Sequence, residues 1–231
     1  MTDWTLQHRA AIHRALGDPL RLAIVDALLL GDLAPSELEE RLGVASNLLA
    51  HHLAALEGAG VVERMRSSGD GRRRYLRLRP EAAALAHPPP ARGAARVLFV
   101  CTGNSARSPM AEALWSEASD VPAASAGTRP ASATHPLAID AVRKAGLHAT
   151  QAPQAVANTL QPGDLVVTVC DQAHEVWGEA GTPARPDLHW SIPDPAASAS
   201  PAAFAQALTL LRERVAALVP YVQLMRMEQA Q

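Results

Sequence analysis

The sequence predicts two domains: an N-terminal, mainly α-helical winged helix-turn-helix with a β-hairpin wing, and a C-terminal α/β domain. Three observations predict them. Two short helical patterns joined by Gly43-Val44 precede a Gly-Asp-Gly turn that strand-like runs flank on both sides. Three consecutive prolines, Pro88 to Pro90, break the chain inside the segment Ala84 to Ala95. Beyond them the apolar run Val97 to Val100 ends at Cys101, passes through five small or polar residues, and opens a helix-prone stretch. The boundaries read from this are 1–83 for the first domain, 84–95 for a proline-rich linker and 96–231 for the second.

In chain order, Trp4 to Leu16 and Pro19 to Leu30 carry helical apolar spacing, and Gly31-Asp32 ends it. Ser36 is placed to cap a helix running to Leu42, and a second helix runs from near Ala45 to Gly58–Gly60. Leu49, Leu53 and Leu56 form its apolar face, and His52 beside them reads as a structural histidine. The hairpin that follows holds seven arginines and a single acid, Asp70, between Arg64 and Arg79. On a hairpin placed directly after a helix-turn-helix, Arg72, Arg73 and Arg74 read as phosphate contacts.

Past the linker, the strand Val97 to Val100 delivers Cys101 to a tight turn, and Pro109 fits the first turn of the helix Met110 to Ala118. Backbone N–H groups of Thr102, Gly103, Asn104, Ser105, Ala106 and Ser108 are expected to point at one anion, and the helix N-terminus favours negative charge there, including that of an anionic sulfur. Arg107 adds a planar donor pair that matches two oxygens of phosphate or arsenate. Downstream, the apolar run Leu165 to Val169 ends at Cys170, while Pro136 to Ala145 and Pro201 to Leu218 read as packing helices.

With 231 residues the chain is long enough for two modest cores, and a net charge of −2 gives no global field to recruit nucleic acid or membrane. No stretch has the length and hydropathy of a membrane span, and Met1 to Ala10 lacks the pattern of a signal peptide, so a cytoplasmic protein is expected. Two cysteines are not a disulfide framework and fit a reducing compartment. His8, His13, His51 and His52 show no compact ligand spacing, so no bound metal or other cofactor is expected.

The loop C-T-G-N-S-A-R-S, S-A-G-T at Ser125 to Thr128, D-L-V-V-T-V-C-D at Asp164 to Asp171 and D-P at Asp194-Pro195 together resemble the low-molecular-weight tyrosine phosphatase superfamily over about residues 95 to 225. That resemblance implies a three-layer α/β fold with a four-stranded parallel sheet, Cys101 as nucleophile, Arg107 as oxyanion clamp and Asp194 as proton donor. Ala106 stands where phosphatases of the family usually carry a second cysteine, and Ala196 and Ala197 follow Asp194-Pro195 where they carry aromatic residues. With H-W-S-I-P-D-P-A from His189 to Ala196, these features resemble the arsenate reductase branch, whereas Pro109 is the phosphatase choice. Cys170 is then the one thiol of the chain able to attack the Cys101 sulfur. Relay reductases have a third cysteine where this chain has Trp177, so an external thiol, glutathione or mycothiol with a redoxin, must complete the cycle.

The phrases A-L-G-D-P-L-R-L-A-I-V-D-A-L, S-E-L-E-E-R-L-G-V and H-H-L-A-A-L-E-G-A-G-V-V resemble the ArsR family of repressors over Leu6 to Leu78. The resemblance implies a homodimer on operator DNA, with Asn47, Leu48 and His51 facing bases. Metal-sensing members place a cysteine pair where this chain has Leu33 to Leu38, and no cysteine precedes Cys101, so this domain holds no thiol site for trivalent arsenic. The expectation is therefore a regulator fused to an arsenate reductase. Two alternatives stand beside it: a tyrosine phosphatase joined to a DNA-binding domain, and a repressor whose second domain only binds an oxyanion.

Overall fold

The computed structural model describes residues 5–83, 86, 89–148, 152–180, 182 and 185–224. The described residues divide into two compact units, one holding those up to 67 and 71–89, the other holding 68–70 and those from 90 on.

In the first unit, helices α1 (Leu6–Leu16), α2 (Pro19–Leu28), α3 (Pro35–Leu42) and α4 (Ser46–Gly58) precede the hairpin β1 (Val62–Arg66) and β2 (Arg74–Leu78) and a single turn, α5 (Pro80–Ala83). Asp18 caps α2 by accepting from the Arg21 amide, and Pro19 fills the first helical position, where no N–H is needed. The expected cap at Ser36 is corrected. Proline's fixed φ suits the first helical position, so the cap moves two residues earlier, to Ala34, with α3 beginning at Pro35, and Glu37 accepts from the Ala34 amide at 2.7 Å. Helix α2 ends at Leu28 rather than Leu30, and Trp4 lies outside the described residues. Gly43 closes α3 in the left-handed region at φ 65°, which permits the sharp turn into α4. The core gathers Ile24, Leu28, Leu38, Leu49, Leu53 and Leu56. The wing is fastened to it by the backbone bridge of Leu33 to Leu76 and by a two-pronged pair of Arg77 with the fully buried Asp32, at 3.1 and 2.7 Å.

In the second unit, β3 (Arg92–Ala94) is followed by β4 (Arg96–Cys101), α6 (Arg107–Ala118), β5 (Ala123–Gly127), α7 (Pro136–Lys144), α8 (Val156–Thr159), β6 (Asp164–Thr168), α9 (Asp171–Glu175), β7 (Leu188–His189), α10 (Pro201–Leu218) and β8 (Val222–Leu224). A four-stranded parallel sheet runs β5-β4-β6-β7, with β4 inside it. Alternation along β4 sorts its side chains to two faces. Leu98 and Val100 pack with Ala126, Val156, Val166 and Trp177, while Phe99 on the other face meets Trp115 and Trp190 at ring separations of 6.0 and 5.7 Å. Helices α6, α7 and α10 pack on one another, completing the three layers.

The segment 84–95 departs from a free spacer in its last part. Arg92–Ala94 pairs in parallel with Val222–Leu224, and the Ala95 amide donates to Gly163 O, so the chain is fixed to the second unit before the sheet begins. Among the described residues no helix is long and apolar enough to cross a membrane.

Candidate functional site

Strand β4 ends at Cys101 in the interior of the sheet, and the loop from Thr102 to Ala106 turns there into α6. Its carbonyls are fastened from one side. Cys101 O accepts from the Thr128 amide, Thr102 O from Arg129, Gly103 O from Ala131 and Ser105 O from His135, at 2.8 to 3.1 Å. With the carbonyls so engaged, the amides face the other way, and none from Thr102 to Ser108 donates to a described backbone carbonyl. Unpaired donors in a row at a helix N-terminus are the arrangement that receives an anion.

Two residues hold this shape. Asn104 is buried with φ 47°, a left-handed conformation that an asparagine tolerates when its side chain is bonded locally. Its Nδ2 donates to Ser108 Oγ at 2.9 Å and Ser125 Oγ at 2.8 Å, and its Oδ1 accepts from the Gln154 amide at 2.8 Å. Its amide therefore belongs to the row of unbonded amides while its side chain is framework. Gly127 lies so close to the loop that a Cβ there would sit 2.7 Å from Thr102 O and 2.9 Å from Asn104 N.

The Cys101 sulfur is buried, 3.1 Å from Ser108 Oγ. Arg107 is the first residue of α6 and is 8% exposed. Its Nη1 donates to Ile192 O at 3.1 Å and its Nη2 lies 3.3 Å from Asp194 Oδ2. Its Nε is buried with no hydrogen-bond partner among the described residues, a donor suited to an oxyanion. Asp194 is more open, and its other carboxylate oxygen caps the turn 195–197 by accepting from the Ala196 amide.

Cys170 caps α9, its sulfur accepting from the Ala173 amide at 3.4 Å. The same sulfur lies 3.4 Å from Thr102 Oγ1, whose own proton goes to Gln172 Oε1, so the Cys170 S–H donates to the hydroxyl. Burial pushes this thiol up, the Arg107 charge lowers it and the Cys101 charge raises it further, leaving it above its ordinary value. Cys101, Arg107, Asp194 and Cys170 therefore come together at one edge of the sheet.

Sequence reasoning passed over the groups beneath Cys170. Asp171 and His189 are both buried and meet at 3.1 Å. The other His189 nitrogen lies 3.0 Å from Thr168 Oγ1, which His174 Nδ1 also approaches at 3.1 Å while the two imidazoles stack at 4.2 Å. Burial pushes the Asp171 carboxyl up, but hydrogen bonds, led by that from His189 and joined by one from Ser191, outweigh it and bring it to about 2. The only signal in the sequence was adjacency: Asp171 follows Cys170, and His189 opens H-W-S-I-P-D-P-A. Ser125 and Gly127 had a plainer sign, since S-A-G-T stands at a strand end.

In the first unit, Asn47, Leu48 and His51 are all exposed on α4, and Arg72, Arg73 and Arg74 are exposed on the wing. Arg66 Nε and Arg74 Nη1 both donate to Gly71 O, which folds two guanidinium groups over the turn. His52 is turned inward, 3.3 Å from Asp18. The Arg21 amide bond is the main cause that holds the Asp18 carboxyl below its ordinary value. Among the described residues no cluster of three or more His, Cys, Asp or Glu is placed to hold a metal ion.

Comparison with known proteins gives two family matches. Residues 96–230 match the model for low molecular weight phosphotyrosine protein phosphatase, and residues 18–64 match that for the bacterial regulatory protein, arsR family. An arsenate reductase of Bacillus cereus (strain AH187) is 39% identical over 108 residues, covering 43% of this chain and 76% of that protein. One from Halalkalibacterium halodurans is 35% identical over 106 residues, 43% of this chain and 73% of that protein. Among solved structures, an arsenate reductase from Archaeoglobus fulgidus aligns with 32% identity and a TM-score of 0.46 over 54% of this chain and 98% of its own.

Proposed function

The chain belongs to the low molecular weight phosphotyrosine protein phosphatase family and joins that domain to an ArsR-type segment, and on this premise we propose that it is a transcriptional regulator fused to a thiol-dependent arsenate reductase. The observation that carries the reductase reading is Cys170: a second sulfur stands beside the oxyanion loop, hydrogen-bonded to Thr102 and within reach of the charges of Cys101 and Arg107. The relatives named arsenate reductase support the same reading.

In the first step the Cys101 sulfur forms a bond to the arsenic of arsenate. Arg107 and the amides of Thr102 to Ser108 hold the oxygens on which charge accumulates. One arsenic–oxygen bond breaks, and the departing oxygen takes its proton from Asp194 and leaves as water. Cys170 then loses its proton and attacks the Cys101 sulfur. A disulfide forms, the sulfur–arsenic bond breaks with its electron pair passing to arsenic, and arsenite leaves. An external thiol, glutathione or mycothiol with its redoxin, supplies the two electrons that reopen the disulfide. No cofactor takes part. In the other unit, Asn47, Leu48 and His51 read bases and Arg72, Arg73 and Arg74 hold phosphates of operator DNA, with the protein acting as a homodimer.

Pro109, buried in the first turn of α6, favours a second reading in which water attacks phosphorus and the domain is a phosphatase. One experiment separates them. The purified protein is given arsenate with glutathione or mycothiol, and in parallel p-nitrophenyl phosphate. Cys101→Ser is expected to abolish both activities while still binding oxyanion. Cys170→Ser is expected to lose arsenite release and keep aryl phosphate cleavage. Efficient aryl phosphate turnover with no arsenite from the wild type overturns the reductase.

A further inference from the structure

Strands β6 and β7 part company at the active edge. Their last backbone bond there is from the Trp190 amide to Thr168 O, at 2.8 Å. Beyond it one chain becomes the Cys170 turn and α9, and the other runs through Ser191 and Ile192 to Asp194. The Ile192 carbonyl is what Arg107 Nη1 grips, and Asp194 faces Arg107 Nη2. Among the described residues no backbone bond joins the two diverging segments past that point. Side chains do. The Asp171 carboxylate, one residue after Cys170, accepts from His189 Nε2 at 3.1 Å and from Ser191. His189 is in turn fixed through its second nitrogen by Thr168.

We propose that Asp171 is a positioning residue that clamps the segment 189–194 to the Cys170 turn, so that Asp194 as proton donor and Cys170 as second thiol keep their places relative to Cys101 through one buried carboxylate. The inference deepens the proposed function and rests on those two roles. Asp171 touches neither sulfur's leaving atom nor the oxyanion; it acts through His189 and Ser191. A carboxylate suits this task because, with every partner donating, it satisfies them with no proton of its own to place. It is ionised at neutral pH, since its carboxyl titrates at about 2.

The test uses the full chain and compares Asp171→Asn with wild type in two assays. In the first, cleavage of phenyl phosphate, whose leaving group needs a proton, is set against 2,4-dinitrophenyl phosphate, whose leaving group does not. A displaced Asp194 costs the first substrate about tenfold more than the second, a part of what a general acid contributes. General damage to the loop lowers both alike. In the second assay, diamide accepts two electrons and two protons from Cys101 and Cys170, and the rate of disulfide closure is followed. It is expected to fall about tenfold, an effect of lost orientation. His189→Gln, which keeps a donor near the Nε2 position, is expected to recover most of both losses, whereas His189→Leu does not. Should Asp171→Asn fail to fold, the His189 pair carries the same comparison. Equal losses on the two phosphates, or disulfide closure at the wild-type rate, overturn the clamp. A wild type that cleaves neither phosphate and releases no arsenite from arsenate overturns the enzymatic reading instead, and the diamide assay then still decides whether Asp171 places Cys170.

Discussion

Asn104 carries more of the loop than its small side chain suggests. It occupies the left-handed region and bonds Ser108, Ser125 and Gln154, so it joins the helix start, a strand of the sheet and a distant loop at one buried point. Alanine at this position loses three hydrogen bonds and the local bonding that tolerates φ 47°, and glycine loses only the former. Asp171 is the corresponding point on the other side of the site, and its titration makes it testable by pH. The carboxyl ordinarily titrates at 3.8 and in the folded chain at about 2. A folded value below the unfolded one means that the hydrogen bonds stabilise the fold fully above pH 4 and lose that contribution as pH falls toward 2. The size is about 2 kcal/mol. Urea unfolding of Asp171→Asn against wild type is expected to show a gap of that order at pH 6 that narrows steadily below pH 4. A gap that stays constant down to pH 2.5 counts against the buried pair.

The element that matters most is β4 with its loop and the start of α6, and its shape is set by neighbours as much as by itself. Gly127, at the end of β5, is where the neighbour comes closest. Gly127→Ala drives a Cβ into backbone that has no slack, so turnover is expected to fall at least tenfold and stability by about 2–4 kcal/mol. Gly178→Ala, where a Cβ meets nothing within 4 Å, is expected to leave both unchanged. Loss of activity with no loss of stability in Gly127→Ala contradicts this account. The strand, loop and helix were legible because their signals are local: an apolar run, small residues, then a helix-forming stretch with proline in its first turn. That Cys101, Arg107, Asp194 and Cys170 meet at one edge of the sheet was legible by motif and position. The framework was not, because the Asn104 partners Ser125 and Gln154 lie 21 and 50 residues away and have ordinary polar side chains. Asp171 and His189 escaped for the same reason, since periodicity reports which residues are buried and says nothing of which buried polar groups meet. Ser36 failed differently: a good capping residue lost its place because the proline before it took the first helical position.

At the scale of the whole molecule, three prolines announced a division into two units, but nothing local announced that Arg92–Ala94 would pair with Val222–Leu224. A fragment of residues 90–231 keeps that pairing, the Ala95 bond to Gly163 and the Arg92–Asp187 ion pair; a fragment of residues 96–231 loses them all. The Arg92 end of the ion pair is exposed and the pair adds little, so the expected difference is about 1–3 kcal/mol, most of it from backbone bonds. Urea midpoints of the two fragments measure it, and equal midpoints would mean the small sheet is ornamental. The sheet order carries a consequence in time. Strand β4 is made first among the four yet lies inside the sheet, and its loop is completed by residues added much later: Gln154 for Asn104, Ile192 and Asp194 for Arg107. As the chain leaves the ribosome, the first unit has every residue of its core while the oxyanion loop is still an unanchored strand end. A nascent chain stalled before Leu188 would therefore carry the whole first unit and no completed Cys101 loop, so on the proposed function the capacity to hold DNA precedes the capacity for chemistry in the life of each molecule.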